Sequence, residues 1–348
     1  MSNEDVSKLA ARSEVTKEMQ LYRWVKHSYE NYHTVKTAKN IGYIDKLYAT
    51  KKGPCFVLGS GPSLDLSFSE MKRLGYPIFA GASQMPGLSA NGIDPEYLIV
   101  YDSHIHNWRF LRPDKMKYKS LLITHPSCPP RILSQWQGDV CLYRIGVMYH
   151  KSLEEMATLT IGQFLEKYVP NPDDPMSFYF RDEHGIFFKS ILQRAYPEIR
   201  VLILSVSCTP NHACIIADFM GYDPIYLVGV DNGYTYGKER TQIYRWSSVA
   251  RKFIPKPTGG IPADAVLSDN GVPTNNQMIA YKISGISNYR NIRAQIYEIC
   301  DPKNPGINNF FPTVSWRGVG RVSLPVWSRE EKFRRINEYL ETHKGASS

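Results

Sequence analysis

From residue 51 onward, short apolar runs alternate with amphipathic stretches. Residues 55–58, 77–82, 97–101, 120–124, 140–147, 200–205, 222–231 and 297–300 are mostly apolar. Each is closed by Gly, Pro, Ser, Thr or Asp, or passes into polar sequence, and runs this short read as buried strands. Between them lie helical patterns. Ser67 with Glu70 has capping-box spacing before a helix that Gly75 ends, and Ser152 with Glu155 repeats it before 152–169. Thr209 is placed to cap a helix with Pro210 at its first position, and Thr274 to cap one over 275–296. Strand and helix in alternation predict an α/β fold with a doubly wound, mainly parallel, Rossmann-like sheet.

The ends of the chain differ from this middle. Val15, Met19, Tyr22, Val25, Tyr29 and Tyr32 recur at steps of three and four, so residues 1–50 read as a helical arm with one apolar face. Such an arm packs on the main domain or on a second copy, giving a homo-oligomer. Residues 51–325 read as the main α/β domain. Within it, 235–273 is rich in Gly, Pro and charge and is expected to be a lid loop. Residues 326–348 read as a basic C-terminal helix and tail.

Composition narrows the class. The chain has 348 residues, of which 43% are hydrophobic, ample for a large core. The net charge of +9 favours anionic partners: nucleotides, nucleic acid, acidic glycans or an anionic membrane face. The positive charge is spread, with modest clusters at 112–119, 251–256 and 329–335. Six cysteines lack Cys-x-x-Cys spacing, so neither a zinc ribbon nor a redox pair is indicated and a reducing, cytoplasmic setting is expected. The N-terminal residues carry no signal-peptide pattern, and no run reaches the ~18 apolar residues of a membrane span.

The chemistry gathers at strand ends. Gly59-Ser60-Gly61-Pro62-Ser63 follows the first strand of the repeat. Glycines there let the chain turn sharply and let a ligand approach the backbone. Strand, Gly-rich turn and helix is an arrangement that cradles phosphates. It is neither a Walker A loop nor a Gly-x-Gly-x-x-Gly fingerprint. Ser83-Gln84, Asp102, Ser207 with Thr209, and Asp231 also fall at strand ends, where ligands of open α/β sheets bind. Asp102 and Asp231 are candidates to hold Mg²⁺ together. Asp102, His104 and His106 alternate and would share a face if the strand continued; a turn there is the plainer reading. His125 is a candidate acid or base, although a capped loop histidine is commoner. His212 faces either the site or the core. Cys208 has no adjacent histidine and is not taken as a nucleophile.

Four stretches resemble the MptE-like domain family, which includes 6-hydroxymethylpterin pyrophosphokinases and motility accessory factors that transfer sialic-acid-like sugars. They are Val-Leu-Gly-Ser-Gly-Pro-Ser-Leu at 57–64, Gly-Ile-Asp-Pro-Glu-Tyr-Leu-Ile-Val-Tyr-Asp at 92–102, Gly-Tyr-Asp-Pro-Ile-Tyr-Leu-Val-Gly-Val-Asp at 221–231, and Asn-Gly-Val-Pro-Thr-Asn at 270–275. The first and third are also similar to motifs of single-domain bacterial sialyltransferases, and the resemblance implies that 51–325 is a Rossmann-like nucleotide-donor-binding catalytic domain. The resemblance implies that Gly59, Ser60, Gly61, Pro62 and Ser63 meet donor phosphates or ribose, and that Ser83 and Gln84 meet ribose or base. Ser207 and Thr209 would hold a phosphate or carboxylate, and Asp231 would orient the ligand or a metal. The sialyltransferases place a catalytic His after the Asp-bearing strand, whereas here no His lies between His212 and His343. Asp264 or Asp269 replaces it as base, or the chemistry differs.

Three readings follow. One is a transferase using a CMP-, UDP- or GDP-sugar on an acceptor hydroxyl of a glycan, a protein or modified DNA. Another is a Mg²⁺-dependent pyrophosphokinase using ATP on a pterin-like alcohol. The third is a nucleotide- or nucleic-acid-binding module without catalysis.

Overall fold

The computed structural model describes residues 24, 26–145, 195–203, 208–238, 240–256, 259–263, 265–268, 272–300, 310–321 and 323–342. The helix expected over 152–169, and Ser207, Asp264 and Asp269, lie outside them.

Among the described residues, nine strands form one parallel sheet in the order β1-β6-β5-β4-β3-β2-β9-β14-β15. They are β1 (Ile41–Tyr43), β2 (Cys55–Leu58), β3 (Ile78–Gly81), β4 (Tyr97–Val100), β5 (Leu121–Thr124), β6 (Val140–Leu142), β9 (Ile225–Val228), β14 (Ile296–Ile299) and β15 (Thr313–Val314). β7 (Arg144–Ile145) pairs with β8 (Val201–Ile203) in a sheet of their own. The described part of the apolar run at 200–205, Val201–Ile203, has as its only ladder partner among the described residues the short strand after β6, outside the main sheet.

Alternation along each strand divides two cores. Phe56, Leu58, Ala80, Leu98 and Leu122 face helices α2 (Phe68–Leu74), α3 (Met85–Ala90), α4 (His106–Leu111) and α5 (Pro130–Gln135). The N-terminal helix α1 (26–37) adds Val35 to that side. Val57, Phe79, Ile99 and Ile123 face α6 (Thr209–Met220), α7 (Asn276–Asn288) and α8 (Arg329–Thr342). Both faces are covered, so the central strands are apolar throughout rather than alternating with polar residues. Each fully buried Leu, Ile, Val or Phe contributes about 1.5–3 kcal/mol.

Several local expectations shift. Gly75 ends α2 at φ 65, but the Ser67 hydroxyl makes no cap bond and donates to the Ser63 carbonyl at 2.9 Å. The N-cap of α6 is Cys208, with Thr209 already helical. The N-cap of α7 is Asn275, whose side chain accepts from the Met278 N–H at 2.9 Å, and the helix stops at Asn288. The stretch 235–273 contains an antiparallel hairpin, β10 (Ile243–Ser247) with β11 (Lys252–Lys256). A second antiparallel pair joins β12 (Val266–Leu267) to β13 (Pro273–Thr274). The hairpin packs on α3, with the Tyr244 ring against Gly87. No helix among the described residues is long and apolar enough to cross a membrane.

Candidate functional site

β2 and β9 run side by side in register from Cys55 opposite Ile225 to Leu58 opposite Val228. After β2 the chain turns to α2 on one face; after β9 it leads to α7 on the other. The two loops part here, and this fork is the topological switch point where open α/β sheets bind ligands.

Before parting, the loops stay zipped. The Gly59 N–H donates to the Val228 carbonyl at 2.8 Å and the Gly61 N–H to the Gly229 carbonyl at 2.7 Å. Glycine is required for this contact. A Cβ on Gly59 would lie 2.2 Å from the Gly229 oxygen, and one on Gly61 would lie 2.6 Å from Asp231 Cγ. Gly229, at φ 67, adopts the left-handed backbone that glycine tolerates.

Asp231 closes the fork. Its Oδ2 accepts from the Ser63 N–H at 2.9 Å and from Thr235 Oγ1 at 2.7 Å, and its Oδ1 accepts from Ser63 Oγ. The carboxylate is thus an internal clamp between the two loops. Pro62 opens the 3-10 turn Pro62–Leu66 that delivers Ser63 to it. Burial pushes the Asp231 carboxyl above its ordinary range, against the Ser63 and Thr235 hydrogen bonds, which hold it down.

The loop after β3 adds the second wall. Gln84 is buried; its Oε1 accepts from the Gly81 N–H at 2.6 Å and its Nε2 donates to Ser60 Oγ at 2.6 Å. Ser60 Oγ lies 2.8 Å from Ser83 Oγ. Gly81 lets Thr209, in the first turn of α6, approach: a Cβ there would lie 2.8 Å from Thr209 Cγ2. Ser60, Gly61, Ser63, Ser83 and Thr209 are half-buried at the rim; of the serine hydroxyls, Ser63's is given to Asp231, which leaves those of Ser60 and Ser83.

Asp102 stands apart from Asp231. The ends of β4 and β9 are three strands apart, about 14 Å at ordinary strand spacing. Mg²⁺ holds its ligands at about 2.1 Å, so strand spacing and the occupied oxygens of Asp231 both set the two carboxylates against sharing one ion. Among the described residues no three His, Cys, Asp or Glu side chains group as a metal set. Asp102 Oδ1 accepts from the His104 N–H at 2.9 Å, so the chain turns after β4. His104 and His106 do not continue the strand; their rings lie 4.1 Å apart at the start of α4.

The remaining candidates are internal. His125 Nε2 is 2.5 Å from the Tyr101 carbonyl, and burial lowers its pKa to about 4, so its ring is neutral at physiological pH and donates there. His212 is buried within α6, 3.8 Å from the Tyr101 ring and 3.1 Å from the Tyr143 hydroxyl. Burial pushes the Cys208 thiol up to about 12, which keeps it protonated.

Glu298, in β14, gave no signal in the sequence beyond one acid in an apolar strand. It is 4% exposed, and its Oε2 has no hydrogen-bond partner among the described residues. Burial, and after it the charge of Asp231, pushes its carboxyl well above the ordinary range, with Lys282 opposing. The neutral acid is the form that fits. An unfolded chain ionises this group above about pH 4.3, while the folded one keeps the proton. Stability contributed here is therefore full below that pH and falls as pH rises towards the folded value, by up to about 1.4 kcal/mol per pH unit. Glu298→Gln removes this dependence. In urea unfolding from pH 5 to 9, the variant should gain on the wild type as pH rises; parallel curves would contradict the assignment.

A pocket between α6 and α7, lined by Pro210, Asn211, Val230, Asn232, Tyr281 and Lys282 among others, has a volume of ≈ 20 Å³. That is room for a water, not a nucleotide.

Residues 26–167 match the model of the MptE-like family, described as 6-hydroxymethylpterin diphosphokinase MptE-like. Two of the four stretches that resemble that family, 57–64 and 92–102, lie within the match. Among solved structures, a MAf glycosyltransferase from Magnetospirillum magneticum AMB-1 is similar at 18% identity with a TM-score of 0.49. The alignment covers 94% of this chain and 42% of that one, so the chain spans less than half of that protein's length. No curated protein matches the chain.

Proposed function

We propose that the chain is a transferase that holds a nucleotide-activated donor at the β2/β9 fork, and that the donor is a nucleotide sugar. The observation that supports this is the fork itself: glycine-only loop contacts, a buried Asp231 clamp and the Ser60–Ser83–Gln84 cluster, all at the carboxyl edge of the sheet. The rim offers hydroxyls to phosphate or ribose oxygens, and Gln84 fixes the Ser60 hydroxyl from behind.

In this reading an acceptor hydroxyl loses its proton to a carboxylate, and its oxygen attacks the anomeric carbon. The bond from that carbon to the donor phosphate breaks, and the electron pair leaves on the phosphate, where the Ser60 and Ser83 hydroxyls are placed to donate. Asp102, half-buried at the end of β4, is a candidate for the base, with Asp264 and Asp269 as alternatives. Asp231 shapes the fork and leaves the proton transfer to others.

The description of the matching family favours a second reading, Mg²⁺-dependent transfer of pyrophosphate from ATP. Donor turnover measured with and without EDTA separates the two: sugar-nucleotide hydrolysis that survives EDTA supports glycosyl transfer, and ATP-dependent AMP release that EDTA stops supports the alternative. Ser60→Ala should weaken nucleotide binding about 10- to 100-fold in titration calorimetry, the loss expected for one hydrogen bond to a charged group. Unchanged affinity would remove Ser60 from the site.

A further inference from the structure

Two of the modest basic clusters, taken with their flanks, contribute eight of the chain's net charge of +9. Residues 106–119 hold five basic side chains and one acid, and residues 243–256 hold four basic side chains and no acid, so the rest of the chain is nearly balanced. They are far apart in sequence, yet the fold brings them together. The Arg112 guanidinium lies 4.9 Å from the Trp108 ring centre and 5.8 Å from that of Trp246 on the hairpin. Arg131 of α5 stacks over Trp108 at 5.4 Å, and Trp108 Nε1 donates to Gln135 at 2.7 Å, which fixes the ring. The single acid, Asp114, is spent on Arg112 through two bonds of 3.0 Å. Arg109, Lys115, Lys117, Arg131, Arg251 and Lys252 are left exposed.

This face adjoins the fork. The Thr241 N–H, just before the hairpin, donates to the Ser60 carbonyl at 3.0 Å, and the Gln242 N–H donates to Asp65 at 3.0 Å. A polymer lying across α4 and the hairpin would pass the rim where Ser60 and Ser83 sit.

We infer that the α4–hairpin face is a docking surface for a nucleic-acid strand. Exposed lysines and arginines suit a repeating anion, and Arg131, exposed over the Trp108 ring, has a guanidinium to offer to phosphate oxygens. The half-buried Trp246 ring offers a face for a base. The role of that strand as the acceptor rests on the donor reading above; the binding does not.

Fluorescence anisotropy of the full chain with a labelled single-stranded oligonucleotide tests the surface, with no donor present. Contact with about five phosphates predicts a loss of affinity of roughly 100-fold between 50 and 200 mM salt. The double substitution Lys115→Glu with Lys252→Glu should weaken binding at least about tenfold and flatten the salt dependence by more than one phosphate contact. Both positions are exposed and neither belongs to the fork, so the unfolding midpoint and the nucleotide-induced thermal shift should stay at wild-type values. Binding that ignores the double substitution, or that lacks salt dependence, would overturn the proposal. So would a polyuronate, which lacks phosphate, competing as well as the oligonucleotide at equal charge concentration. Loss of oligonucleotide binding with the nucleotide shift intact locates the effect on this face, whereas the absence of any nucleotide shift in the wild type would count against the donor site alone.

Discussion

Gly59→Ala is expected to cost about 3 kcal/mol or more and to abolish the stabilisation that a nucleotide confers. The new Cβ would lie 2.2 Å from the Gly229 oxygen, 2.8 Å from its carbonyl carbon and 2.9 Å from Val230 Cα. All three are backbone atoms, so no flexible side chain can move aside, and β2 and β9 must part at the fork. Overpacking a rigid interior typically costs about 1–3 kcal/mol, and a backbone displacement adds to that. Gly75→Ala is the control. Gly75 has φ 65 but nothing within 4 Å of a new Cβ, so it bears only the left-handed strain, about 1–2 kcal/mol. Urea unfolding of both variants, with and without nucleotide, checks the difference. Equal losses would show that the fork is not a close contact.

Asp231→Ala is expected to lower stability by about 3 kcal/mol, chiefly by leaving donors without an acceptor. The Ser63 N–H, the Ser63 hydroxyl and the Thr235 hydroxyl all donate to this one carboxylate. A buried polar group stripped of its partner costs about 1–3 kcal/mol. Asp231→Asn keeps the volume and one acceptor oxygen but sets an NH₂ group against the Ser63 hydroxyl or against the Ser63 N–H and Thr235, so it should recover only part of the loss. Thr235→Val removes a single donor and should cost less, which keeps the test readable if the alanine variant does not fold. Should Asp231 instead be a donor ligand with no clamping role, Asp231→Asn would spare stability and remove nucleotide binding alone.

The fold was readable because its strands are short apolar runs ended by Gly, Pro or polar residues, and a parallel sheet covered on both faces has no other pattern. Pairing was less readable. The run at 200–205 is as apolar as its neighbours, but nothing in one strand says which strand it will meet, and β8 pairs outside the main sheet. The β10–β11 hairpin was hidden because Pro255 and the surrounding Gly and charge mask its alternation. Pro255 is tolerated because, among the described residues, β11 pairs with β10 alone and its other edge makes no ladder. In the site, Ser60, Ser83 and Gln84 meet as their strand-end positions suggest. The inward role of Asp231 was not legible: its partners Ser63 and Thr235 come from both loops, and residue spacing does not encode which way a carboxylate points. Glu298 was invisible for a similar reason, since a charge within Ile-Tyr-Glu-Ile says nothing about what lies above it.

Amide hydrogen exchange with and without CMP, UDP, GDP and ATP tests the donor site most directly. One nucleotide of the panel should slow exchange in residues 59–66, 82–86 and 229–236 together, with little change around the α6–α7 pocket. Protection centred on that pocket, or spread over segments that leave 59–66 untouched, would contradict the placement of the donor at the fork.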